Sequence, residues 1–114
     1  MPYISTKTNM KLSNDQCDSI KSKLGKAIEL LPGKSENWLM VSFEDESKLY
    51  FKGKNDKPLA FVEVKLFGKA SKDAYNNLTR EITNILHDEL NIQPDGIYVK
   101  YEEVSTWGWN GSNF

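Results

Sequence analysis

Pro2 stands directly after Met1, so loss of Met1 would leave an N-terminal residue with a free secondary amine in a rigid ring. An N-terminal amine is one of the few groups that titrate near neutral pH, and such a nitrogen can take a proton and return it. If Met1 stays, the same nitrogen is an amide with no basic lone pair. Lys34 is a second residue to weigh: a cation near such an amine would disfavour its protonated form, and a lysine can hold a carboxylate as a point charge. Its plain alternative is a solvated lysine past a helix end, since it follows Leu31-Pro32-Gly33. The third unusual feature is the ending Trp107-Gly108-Trp109-Asn110-Gly111-Ser112-Asn113-Phe114. Chain ends are usually frayed and polar. A tail this aromatic needs a surface to bury against, either its own domain or a neighbouring subunit.

Other chemistries find little support. Cys17 is the only cysteine, so neither an intrachain disulfide nor a CxxC redox or zinc site can form. Its place on an apolar helical face suits a small core residue better than a nucleophile. His87 lies beside Asp88 and Glu89 and reads as a surface or helix-end residue. There is no serine-histidine-acid arrangement and no phosphate-binding glycine loop. With 15 basic and 16 acidic residues the net charge is -1, which does not suit a nucleic-acid binder. No apolar run approaches the ~18 residues needed to span a membrane, and the N-terminus lacks the basic and apolar regions of a secretory signal. These features predict a soluble, cytoplasmic protein. Its 114 residues suit one domain, 1–114.

The elements that must position these residues follow from periodicity. Pro2 to Lys7 reads as a strand. Ser13 and Gln16 have capping-box spacing and open a helix with Cys17, Ile20, Leu24, Ala27, Ile28 and Leu31 on one face, stopped by Pro32-Gly33. Trp38 to Phe43 alternates as a strand, and Leu49 to Lys52 reads as a small hairpin strand between turns. Phe61 to Phe67 is a clear strand with Val62, Val64 and Leu66 on one side. Ser71 caps a second helix with Ala74, Leu78, Ile82, Ile85, Leu86 and Leu90 on its apolar face, and Ile97 to Glu102 is the last long strand. The order predicts an α+β fold: two β-α-β units with parallel crossovers, forming a four-stranded mixed sheet with two helices on one face, plus short extra strands. Glu63, Lys65, Phe67, Tyr98 and Lys100 then lie on the uncovered face, where subunit contact would explain the aromatics.

Three segments together carry a family resemblance. Met1-Pro2-Tyr3-Ile4, Leu31-Pro32-Gly33-Lys34 and Gly108-Trp109-Asn110-Gly111-Ser112-Asn113-Phe114 resemble the macrophage migration inhibitory factor family of the tautomerase superfamily, with the ending closest to microbial members. The resemblance runs the length of the chain, and Tyr98 also falls where the family has a tyrosine. It implies a homotrimer with active sites between subunits, and keto-enol tautomerisation of aromatic 2-keto acids such as phenylpyruvate without a cofactor.

In that reading Pro2 is the catalytic base and then the acid, and Lys34 depresses its pKa and binds the substrate carboxylate. Phe67 matches a position whose backbone N–H contacts substrate, although the family's side chain there is usually aliphatic. Tyr98 lines the pocket from the adjacent subunit, and Trp109 and Phe114 wall it. Lys100 stands where animal members have asparagine; it either attracts acids or pairs with Glu63 or Glu102. Lys57-Pro58-Leu59-Ala60 replaces the animal CxxC segment, so thiol-disulfide activity is not supported. Two other readings stand beside this one. The first is a receptor-binding immunomodulatory protein, exported without a signal, whose tautomerase activity is incidental. The second is hydration, dehalogenation or decarboxylation on the same scaffold; Arg80, the only arginine, lies on the second helix and counts against it.

Overall fold

A computed structural model describes residues 1–114. Four strands, β1 (Pro2–Thr8), β2 (Met40–Glu44), β3 (Ala60–Phe67) and β4 (Ile97–Val104), form one sheet in the order β2-β1-β3-β4. β1 and β2 run parallel, as do β3 and β4, while β1 and β3 are antiparallel. Each parallel pair is joined through one long helix, α1 (Asn14–Ala27) or α2 (Lys72–Leu90). This is the expected pair of β-α-β units, joined back to back through β1 and β3.

The helices begin where the sequence says they should. Ser13 accepts from the Gln16 N–H, and the Gln16 side chain accepts from the Ser13 N–H, a complete capping box. Ser71 caps α2 by accepting from the Ala74 N–H. At the other end of α2, Asn91 takes a left-handed conformation, and the His87 ring packs its Nδ1 against the Ile92 carbonyl, confirming a helix-end role. α1 is shorter than its apolar stripe: the last turn, Ile28–Leu30, tightens into a 3-10 helix before Pro32.

The core lies between the sheet and the helices. Alternate residues of β3, from Ala60 to Leu66, are buried with Ile4 against Ile20, Leu24 and Ile28 of the first helical segment and Leu78, Ile82 and Leu86 of α2. Every residue on the expected apolar face of α2 is buried. Cys17 is the exception on α1. It is only half-buried, and burial, followed by the Asp45 and Asp18 carboxylates, pushes its thiol up, the reverse of what a nucleophile needs. No helix is long and apolar enough to cross a membrane.

Three local expectations change. Trp38 does not start a strand: Glu36–Trp38 is a 3-10 turn and β2 begins at Met40. Leu49 to Lys52 is not a hairpin strand but a loop carrying a single bridge, Phe51 to Lys54, because Lys52 and Gly53 both take positive φ and turn the chain at once. The last strand runs two residues further, to Val104.

Candidate active site

The β1–β3 register places Pro2 opposite Leu66, so the start of the chain meets the end of β3. Pro2 is buried. One step further, the Phe67 N–H donates to the Met1 carbonyl at 3.0 Å. Lys34 reaches the same point from the other side, its Nζ donating to the Phe67 carbonyl at 2.7 Å. A turn aims it there. Leu31 is fully buried, the Lys34 N–H returns to the Leu31 carbonyl at 3.0 Å, and Gly33 has φ 79°. Proline followed by a residue with positive φ is the pattern of a type II turn, which glycine adopts without steric cost.

The electrostatics follow. The Met1 amine is held below its ordinary value, first by burial and then by the neighbouring Lys34 ammonium.

The C-terminal residues close over this end. Two short strands, β5 (Gly108–Trp109) and β6 (Ser112–Asn113), pair around Asn110-Gly111, both at positive φ. Asn-Gly is a strong signal for a two-residue hairpin turn, and the sequence reading passed over it. Trp109 packs edge-to-face on Trp38, with ring centroids 5.0 Å apart, and Phe114 lies 5.6 Å from Phe67. Sequence reasoning missed Trp38 by assigning it to a strand. Its signal was an aromatic residue four positions after Lys34, ahead of the alternating segment.

Tyr98 and Lys100 are elsewhere. Tyr98 pairs in register with Phe61, at the far end of β3 from Phe67. Six residues of strand put about 20 Å between them. Its ring packs against Phe51 and Phe61, at centroid distances of 5.2 and 6.1 Å, and lines an apolar cleft of about 180 Å³ with Leu49, Tyr50 and Ile97. Lys100 pairs with Glu102 at 2.9 Å and Glu63 at 3.8 Å. Within one chain, then, Pro2, Lys34, Phe67, Trp109 and Phe114 share one end of the sheet, and Tyr98 and Lys100 do not join them. Among these residues no set of three or more histidine, cysteine or carboxylate side chains is placed to hold a metal.

A family model described as Macrophage migration inhibitory factor (MIF) matches residues 1–114. The chain belongs to the macrophage migration inhibitory factor family. It is 28% identical to the mouse macrophage migration inhibitory factor over 116 aligned residues, covering 100% of this chain and 99% of that protein. The crystal structure of MIF2 from Leishmania major superimposes with a TM-score of 0.92 at 28% identity, covering 100% of this chain and 97% of the other. A homologue from Prochlorococcus marinus gives 0.82 at 28% identity over 98% of both chains. An N-terminal proline and a homotrimer are typical of the MIF family.

Proposed function

We propose that this MIF-family chain is a cofactor-independent tautomerase that interconverts the keto and enol forms of aromatic 2-keto acids such as phenylpyruvate. The observation that carries this reading is the meeting of the chain start, the Lys34 ammonium and the Phe67 backbone at one end of the sheet.

Removal of Met1 makes Pro2 a secondary amine. That amine must be neutral to act as a base; Pro2 is buried and stands next to Met1, whose amine burial and the Lys34 ammonium hold below its ordinary value. In ketonisation the ring nitrogen takes the proton from the enol hydroxyl. The C=C electrons accept a proton at the adjacent carbon, and the same nitrogen delivers it. Enolisation is the reverse, so no electron or co-reactant is needed. Lys34 holds the substrate carboxylate. The Met1 carbonyl accepts from the Phe67 N–H, and in this reading loss of Met1 leaves that donor for a substrate oxygen. Trp109 and Phe114 wall the aromatic ring of the substrate.

In the homotrimer typical of the family, Tyr98 reaches the site from an adjacent subunit, as the resemblance implies; about 20 Å of strand separates it from Phe67 of its own chain. Lys100, already paired with two carboxylates, has a structural role. A phenylpyruvate tautomerisation assay on Pro2→Gly tests the reading: activity should fall by roughly 100-fold or more, the usual range for losing a positioned acid-base group. Retention of full rate would refute it.

A further inference from the structure

The peptide between Phe67 and Gly68 is held at both of its polar groups. Its carbonyl accepts from the Lys34 ammonium at 2.7 Å, and its N–H donates to the Val104 carbonyl at 3.2 Å. The two groups of a trans peptide point in opposite directions within one plane, so whatever anchors the N–H also aims the carbonyl. A second anchor lies two residues on. The Ala70 N–H donates to the Tyr75 hydroxyl at 3.2 Å, and that hydroxyl donates to the Glu103 carboxylate at 2.6 Å. Glu103 precedes Val104 on β4, so both anchors tie the turn after β3 to the same strand end. Tyr75 lies in the first turn of α2 and is itself fixed. Its carbonyl accepts from the Tyr101 hydroxyl at 3.1 Å, its ring lies 4.6 Å from the Tyr101 ring, and the Thr79 hydroxyl meets that of Tyr101 at 2.8 Å. Burial, followed by the bond to Glu103, pushes the Tyr75 phenol up to about 12, so it keeps its proton and goes on donating at neutral pH. Neither Tyr75 nor Glu103 bonds Pro2 or Lys34; their link to the site runs through the turn.

We propose that Tyr75, held by Glu103, is a positioning residue: it fixes the turn after β3 and with it the place of the Lys34 ammonium, which sets how tightly the site holds a carboxylate. The substrate class rests on the tautomerase reading; the anchoring of the turn rests on the hydrogen bonds alone. Removing the Tyr75 hydroxyl leaves the Ala70 N–H without its acceptor and the turn with only the Val104 anchor. One neutral hydrogen bond corresponds to about a two- to tenfold change in an equilibrium. Lys34 keeps its charge when its seat shifts, so the loss of carboxylate affinity stays below the roughly tenfold expected when the charge itself is removed.

The test measures binding of 3-phenylpropionate, an aryl carboxylate with no keto group to react, by NMR titration of the intact protein. Amide exchange and phenylpyruvate kinetics accompany it. Tyr75→Phe keeps the ring and removes only the hydroxyl. It should speed exchange at Ala70 about two- to tenfold, weaken 3-phenylpropionate binding about two- to fivefold, and raise KM more than it lowers kcat. Glu103→Gln still accepts from the hydroxyl and should retain most of the affinity, whereas Glu103→Ala should resemble Tyr75→Phe. In a Lys34→Met background Tyr75→Phe should weaken binding no further, because the hydroxyl acts through the ammonium. Faster exchange at Ala70 with unchanged affinity would reduce Tyr75 to a structural role and overturn the proposal. An equal loss of affinity with and without Lys34 would overturn it too. If 3-phenylpropionate binding follows the expected pattern while the parent turns over no phenylpyruvate, the tautomerase reading falls and the positioning role of Tyr75 is supported.

Discussion

Replacing Lys34 with methionine keeps most of the unbranched side chain and removes its charge, and the structure predicts two separate consequences. The first is weaker binding of a carboxylate. A hydrogen bond to a charged group contributes about 1.5–3 kcal/mol. Lys34 is half-buried at the rim, so the lower end applies, and kcat/KM for phenylpyruvate should fall about tenfold. The second consequence concerns the base. Lys34 is the second cause, after burial, of the depression of the Met1 amine, and the account expects the adjacent Pro2 amine to feel the same cation once Met1 is removed. Without it the amine becomes more basic, but burial still holds the value below its ordinary position. The acid limb of kcat/KM against pH, which reports the free enzyme, should therefore move to higher pH by only part of the full depression. Lys34→Arg keeps the charge and should leave the limb in place. Initial rates across pH for the parent and both variants provide the assay. A Lys34→Met enzyme within about twofold of the parent, with an unmoved limb, would refute the reasoning.

Other perturbations test the scaffold. Ser13→Ala removes the N-cap of α1 and should cost about 1 kcal/mol in denaturant unfolding without altering the slope of the transition. Leu78→Ala, at a fully buried position, should cost about 2–5 kcal/mol by the same measurement. Glu89 is held below its ordinary 4.5, first by the Lys23 ammonium and then by the Ser19 hydroxyl. A carboxyl lower in the folded than the unfolded state contributes stability that is present above the unfolded value and lost as pH falls through the folded one. The denaturation midpoint of Glu89→Gln should thus fall furthest below the parent at neutral pH, with the gap narrowing under pH 4.5; a gap independent of pH would contradict the pairing.

Much of this fold was readable because local chemistry and global packing agree. The capping box at Ser13, the serine cap at Ser71, the stripe from Ala74 to Leu90 and the alternation from Phe61 to Phe67 each specify one structure, and each formed. The segment from Leu49 to Lys52 failed as a strand because alternation carries no information about φ, and Lys52-Gly53 needed only a turn. Trp38 illustrates the same limit: alternation drew it into a strand, while its ring packs on Trp109, 71 residues away in sequence, at 5.0 Å. Of the site, Pro2 and Lys34 were legible from residue type and from family resemblance, not from periodicity. Their meeting at Phe67 depends on the antiparallel pairing of β1 with β3, which no short-range pattern encodes. Cys17 sat on the apolar stripe and yet is only half-buried, close enough to Asp45 to feel its carboxylate.

The central claim is that a free amine on Pro2 performs the proton transfer. It is tested most directly by measuring phenylpyruvate tautomerisation for two preparations of the same protein, one retaining Met1 and one lacking it, each verified by intact mass. The account predicts that only the preparation without Met1 is active, because Met1 ties up the proline nitrogen in a peptide bond and occupies the Phe67 N–H. Equal rates in the two preparations would contradict it.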